Sequence, residues 1–168
     1  MIIRKVQKRD VGKLETFFKN CLTDLVKRES KELDLIEEEV DQLNRIVKES
    51  LADSKIAFFV GELNGQIVGT IALTKPNRVI SENIRTESDV FEISSVYVHP
   101  SYQRQGIGQY LFQHIKKELI RMGNVKYYLD AGFSSSQQYW VQQLGNPSFR
   151  LKDYWGEGED HFIWIRNL

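Results

Sequence analysis

The stretch from Phe91 to Leu119, FEISSVYVHPSYQRQGIGQYLFQHIKKEL, constrains the fold more than any other part of the chain. Phe91 to Val98 is rich in β-branched and aromatic residues and predicts a strand. Pro100 ends it, because proline lacks a ladder donor and fixes φ. From Gly108 onward, Leu111, Phe112, Ile115, Leu119 and Ile120 recur at helical spacing, while Gln109, Gln113, Lys116, Lys117 and Glu118 fall mostly elsewhere. The order is strand, short turn, helix.

The turn is Gln103-Arg104-Gln105-Gly106-Ile107-Gly108. Two glycines at a helix start let the backbone approach a ligand, and the first-turn N–H groups have no intrahelical acceptor. Orphan donors and the positive end of the helix dipole suit a phosphate or pyrophosphate, and Arg104 could add a mobile charge. A bare G-x-G is equally consistent with a connection that binds nothing. The dinucleotide fingerprint is excluded because position 111 is Leu, and the P-loop is excluded because no Gly-Lys-Ser/Thr follows.

The turn resembles the acyl-CoA-binding motif Q/R-x-x-G-x-G/A of the GNAT superfamily of N-acetyltransferases, here Gln103, Gly106 and Gly108. The preceding Val96, Val98 and Pro100, in V-x-V-x-P, and the following helix resemble it too. The resemblance implies an α/β (α+β) fold with a mixed, mostly antiparallel central sheet flanked by helices. It also implies two strands, Phe91 to Val98 and Lys126 to Ala131, that splay apart to admit acetyl-CoA. Main-chain N–H groups of Arg104, Gln105, Gly106, Ile107, Gly108 and Gln109 would then cradle the pyrophosphate. The exposed backbone of Val96, Tyr97 and Val98 would pair with the pantetheine arm as an added strand.

The rest of the chain fits a single domain spanning residues 1–168. Met1 to Val6 reads as a strand, and Asp10 is placed to cap a helix with Leu14, Phe17, Phe18, Cys21, Leu22 and Leu25 on one face. Ser30 to Leu51 is a second amphipathic helix whose cluster Glu37-Glu38-Glu39 with Asp41 is either a solvated face or an attractor for a cationic acceptor. Ile56 to Glu62 and Gln66 to Lys75 flank Asn64-Gly65, the strongest short hairpin signal. Lys75 to Asp89 is expected as a loop or short irregular piece. Beyond the central helix come the strand Lys126 to Ala131, a helix capped by Ser134 or Ser136, and a long hairpin of Phe149 to Tyr154 and Phe162 to Arg166.

Composition excludes several classes of function. Lys+Arg and Asp+Glu are both 23, so no electrostatic footprint for nucleic acid or an anionic membrane exists. One cysteine excludes an intrachain disulfide framework, and no signal peptide or spanning apolar run is visible, so a cytoplasmic location is expected. Three histidines without suitable spacing support no metal site.

Amide formation from a thioester needs a held thioester, a neutral amine and a proton for the departing thiolate. Glu92 is the candidate base: even spacing is expected to place it on the strand face of Ser94, Val96 and Val98, and by position it matches a glutamate that serves as base in relatives. The other reading is a strand-edge carboxylate in an ion pair. Many family members carry an acid Tyr in the helix after the next strand, but the aligned position here is Val141. Tyr139 lies about 200° around the helix from it and is expected in the core. Ser134 replaces an Asn that contacts the cofactor in relatives. Tyr154 and His161 are candidate proton donors, and Glu157, Glu159 and Asp160 are candidates to hold an ammonium.

Two functions therefore stand: an acetyl-CoA-dependent N-acetyltransferase acting on a small-molecule amine or peptide N-terminus, and a non-catalytic acyl-CoA-binding module. A homodimer through the strand carrying Phe162 and Trp164 is also open, although both residues fit a core.

Overall fold

A computed structural model describes all 168 residues. The elements are β1 (Ile2–Lys5), α1 (Val11–Arg28), α2 (Asp34–Ala52), β2 (Ala57–Leu63), β3 (Gln66–Thr74), α3 (Arg78–Asn83), β4 (Glu92–Val98), α4 (Ile107–Arg121), β5 (Lys126–Ala131), α5 (Ser134–Leu144), β6 (Phe149–Leu151) and β7 (His161–Asn167). Short 3-10 turns at Lys8–Asp10 and Pro100–Tyr102 lead into α1 and α4. The seven strands form one sheet in the order β1-β2-β3-β4-β5-β7-β6, antiparallel at every step except β4 to β5.

Strand alternation sends neighbouring side chains to opposite layers. Phe58 and Val60 of β2 pack under α1 and α2 with Phe18, Leu22, Val40 and Val47. Phe59, with Ile71, Leu73 and Ile93, packs on the other face under α4 and α5 against Leu111, Ile115 and Trp140. The β2–β3 turn holds Asn64 and Gly65 at φ 51° and 79°, as a two-residue hairpin of the right twist requires. A Cβ on Gly69 would lie 2.7 Å from Leu111 Cδ1 and 3.2 Å from the Tyr97 carbonyl, so glycine is what lets α4 settle onto β3.

Several local expectations change. Asn77 caps a real helix, α3, inside the stretch expected to be irregular; its side-chain oxygen accepts from Ile80 N–H at 3.0 Å. Asp10 precedes α1 but does not cap it, because its carboxylate is taken by Arg4 and by the Gln7 N–H. Ser134 and Ser136 do not cap α5: the Glu29 carboxylate at the end of α1 accepts from the Ser134 and Ser135 N–H groups at 3.1 and 2.7 Å. The strand expected over Phe149 to Tyr154 stops at Leu151. Trp164 is consumed by the core, its indole N–H bonded to the Gly145 carbonyl.

A bulge in β4 is the change with most consequence. Pairing steps from Thr70–Tyr97 to Ala72–Ser94, so β4 carries one extra residue, and Ser95 takes up the strain at φ 52°. Alternation breaks there. Ile93, Val96 and Val98 face α4, while Tyr97 faces α1. Glu92 and Ser94 therefore lie on the opposite face from Val96 and Val98, correcting the expectation that all four share one.

Candidate active site

The turn before α4 leaves a row of donors unused. The main-chain N–H groups of Arg104, Gln105, Gly106, Ile107, Gly108 and Gln109 donate to no acceptor in the protein. Arg104 and Gly106 both have left-handed φ, 61° and 79°, and nothing lies within 4 Å of the place a Gly106 Cβ would occupy. Glycine at 106 is thus a demand of the backbone rather than of space. Gln103 does not point into the turn; its amide donates to the Val98 carbonyl at 3.2 Å and fixes the end of β4. Consecutive free N–H groups at a helix N-terminus form a concavity for an anion.

Beside this turn the sheet opens. The parallel strands β4 and β5 pair only at Glu92–Tyr128, with Tyr128 N–H donating to the Phe91 carbonyl at 2.9 Å. Past that point the β4 edge from Val96 to Val98 has no partner strand on the β5 side. The cleft runs from the unpaired edge to the turn.

Its floor is a polar network the sequence did not announce. Glu92 is 2% exposed, and its carboxylate accepts from Asn77 N–H at 2.6 Å and Asn77 Nδ2 at 3.2 Å. The other Nδ2 proton goes to Asp130 Oδ2 at 2.7 Å, and the Ile80 bond to Oδ1 fixes which way the amide faces. Asp130 Oδ2 also meets His161 Nε2 at 2.9 Å, and Trp155 Nε1 donates to His161 Nδ1 at 2.9 Å. A neutral His161 therefore carries its proton on Nε2 and donates it to Asp130. Gly132 permits this packing, since a Cβ there would sit 3.1 Å from both His161 Nδ1 and Trp155 Nε1.

Burial pushes the Glu92 carboxyl well above the usual carboxylate range; the Asp130 charge adds to the rise, and the Asn77 bonds oppose it. Glu39 of α2, half-buried, is also raised, first by burial and then by the charges of Glu38 and Asp130. Of the expected acidic cluster, this is the member that turns toward the cleft.

The other sequence candidates divide sharply. Tyr154 is 36% exposed, its ring 4.9 Å from Trp155 and 5.8 Å from His161. Glu159 and Asp160 are not free to hold an ammonium: Glu159 pairs with Lys31, and Asp160 with Arg150 and the Asp153 N–H. The Ser134 hydroxyl donates to Glu29 at 2.7 Å. Val141 lines a groove of about 420 Å³ with Ser134, Gln137 and Phe162. Cys21 is buried, its thiol pushed up to about 12 by that burial, which leaves it inert as a nucleophile. No group of three His, Cys, Asp or Glu side chains is placed to hold a metal ion, and no helix is long and apolar enough to cross a membrane.

A sheet opened between two parallel strands, with a turn of free N–H donors beside the opening, is the architecture of an acetyltransferase of the GNAT fold. The chain belongs to the acetyltransferase (GNAT) family, whose profile matches residues 20–145. Solved structures share the fold. The PaiA N-acetyltransferase of Thermoplasma acidophilum in complex with coenzyme A is 18% identical, with TM-score 0.73, over 99% of this chain and 98% of that one. The ribosomal-protein-alanine N-acetyltransferase of Brucella melitensis is 16% identical, TM-score 0.70, over 100% of both chains. YncA, a putative acetyltransferase of Salmonella typhimurium with acetyl-CoA, is 18% identical, TM-score 0.71, over 100% of this chain and 94% of that one. At such identity the likeness speaks for the fold alone. No curated protein matches the sequence significantly.

Proposed function

We propose that residues 1–168 form one catalytic domain that transfers an acetyl group from acetyl-CoA to a primary amine, with Glu92 as general base. The observation that carries this reading is the unpartnered row of N–H groups from Arg104 to Gln109 at the mouth of a cleft floored by a buried, raised-pKa carboxylate. The N–H row fits a pyrophosphate, and the free β4 edge at Val96, Tyr97 and Val98 fits an amide-bearing arm. Acetyl-CoA would supply a thioester activated toward amine attack. Arg104 is exposed and free to meet phosphate charge.

The protein's own part is to accept and move protons. An ammonium acceptor must lose a proton before attack, and Glu92 has the raised proton affinity that a base working near neutral pH needs. Both its oxygens are held by Asn77, so the proton reaches it through a water. Asp130 and Glu39 make the cleft attractive to a cation, which suits an amine that arrives protonated. Tyr154, exposed and beside His161, would grip the amine or return a proton. Acceptors of this chemistry include small amines and peptide N-termini, and a cytoplasmic location agrees with a lone, buried thiol.

The test is acetyl transfer to a panel of primary amines, followed as free thiol released from acetyl-CoA. Turnover with at least one amine, lost in Glu92→Gln while acetyl-CoA still binds, is the expected result. Binding without turnover across small amines and peptides alike would favour the non-catalytic acyl-CoA module instead.

A further inference from the structure

Tyr139 packs against the core as expected, and it does so where α5 meets the start of α4. Its hydroxyl is buried and has no hydrogen-bond partner in the protein. A Cβ on Gly108 would lie 3.2 Å from Tyr139 Oη and 3.7 Å from Val98 Cγ2, which puts the phenol at the junction of the free β4 edge and the open N–H row. The ring is held in place by Trp140, edge-on at 4.8 Å, and Trp140 in turn by Phe112 of α4 at 5.1 Å. Val141, about 200° around the helix, lines the groove on the Phe162 side. Of the two α5 positions, the tyrosine is the one turned toward the turn.

A buried phenol without a partner is costly unless something completes it. Burial raises its pKa, so it remains a neutral O–H donor. Donors beside donors call for an acceptor, and the group that the proposed function brings to this junction is rich in acceptor oxygens. We propose that Tyr139 is a positioning residue for acyl-CoA, donating a hydrogen bond from Oη to a cofactor oxygen where the pyrophosphate gives way to the pantetheine arm. Gly108 is then glycine to leave room for the phenol and the cofactor together. This rests on the acetyl-CoA reading above.

The test is Tyr139→Phe, with calorimetric binding of CoA and of S-acetylpantetheine, which lacks the pyrophosphate, alongside thermal unfolding of the free protein. Binding of CoA is expected to weaken by about ten- to a hundred-fold. The apo melting temperature should stay level or rise, because the removed hydroxyl satisfied nothing in the free protein; a purely structural hydroxyl would lower it. Weakening with CoA alone places the contact on the phosphate, and weakening with both ligands places it on the arm. Equal binding of CoA by the variant and the wild type overturns the proposal and leaves the acetyltransferase reading intact. Failure of the wild type itself to bind CoA overturns both.

Discussion

The proposed role of Glu92 as base depends on what surrounds it, and each neighbour has a separable effect. Asn77 from α3, Asp130 from β5, His161 from β7 behind Asp130, and Glu39 from α2 are the polar groups that bear on it. With its proton affinity raised, kcat/KM should climb with pH along a limb above the ordinary carboxylate range, and Glu92→Gln should lose that limb with a fall in kcat of roughly a hundred-fold or more. The neighbours predict opposite displacements of the limb. Asn77→Ala removes the side-chain bond to the ionised form while leaving the main-chain one, and should move it alkaline, at a cost of about 1 kcal/mol from the lost α3 cap. Asp130→Asn removes a like charge and should move it acid. Stability follows the same sign. A folded-state pKa above the unfolded value means that Glu92's contribution is complete below the unfolded value and is lost as pH rises through the folded one. Urea titrations at a series of pH values should show that loss in the wild type and not in Glu92→Gln.

Among the elements, the α4 unit was the most legible, because strand composition, Pro100 and the apolar spacing from Leu111 to Ile120 are local signals that tertiary packing did not overrule. The bulge at Ser95 was not legible: nothing in ISSVYV tells an inserted residue from an alternating one, and the extra residue appears only when β3 supplies the register. The caps of α1 and α5 were misassigned for a related reason. Asp10 and Ser134 carry the right chemistry, but Arg4 on the preceding strand and Glu29 from across the fold compete for them. Element-scale predictions follow from the glycines. Gly69→Ala should cost about 1–3 kcal/mol in urea unfolding, since its methyl meets Leu111 and the Tyr97 carbonyl in a packed layer. Gly106→Ala meets no atom, so its cost should be about 1–2 kcal/mol, set by the left-handed φ alone.

For the molecule as a whole, the open sheet predicts ligand-linked stability. No protein group completes the unpaired β4 edge on the β5 side or the bare N–H row. Acetyl-CoA at a hundred times its Kd should add about 2.7 kcal/mol. For a chain of this size that raises Tm by roughly 5–10 °C, read by calorimetry. An analogue without the pyrophosphate should raise it much less. The sequence alone determined the family motif, the four long helices and the hairpin at Asn64-Gly65, and it singled out Glu92 as a candidate, because each is written in residues close together in the chain. Only the tertiary structure decided that Glu92 sits on the opposite face from Val96, that Asn77 ties it to Asp130 and His161, that Glu159 and Asp160 are already paired, and that Tyr139 rather than Val141 meets the turn. Those facts depend on register, on the crossing of α5 over α4 and on competition between distant partners for the same polar atoms. Such long-range choices leave no local trace in the order of residues.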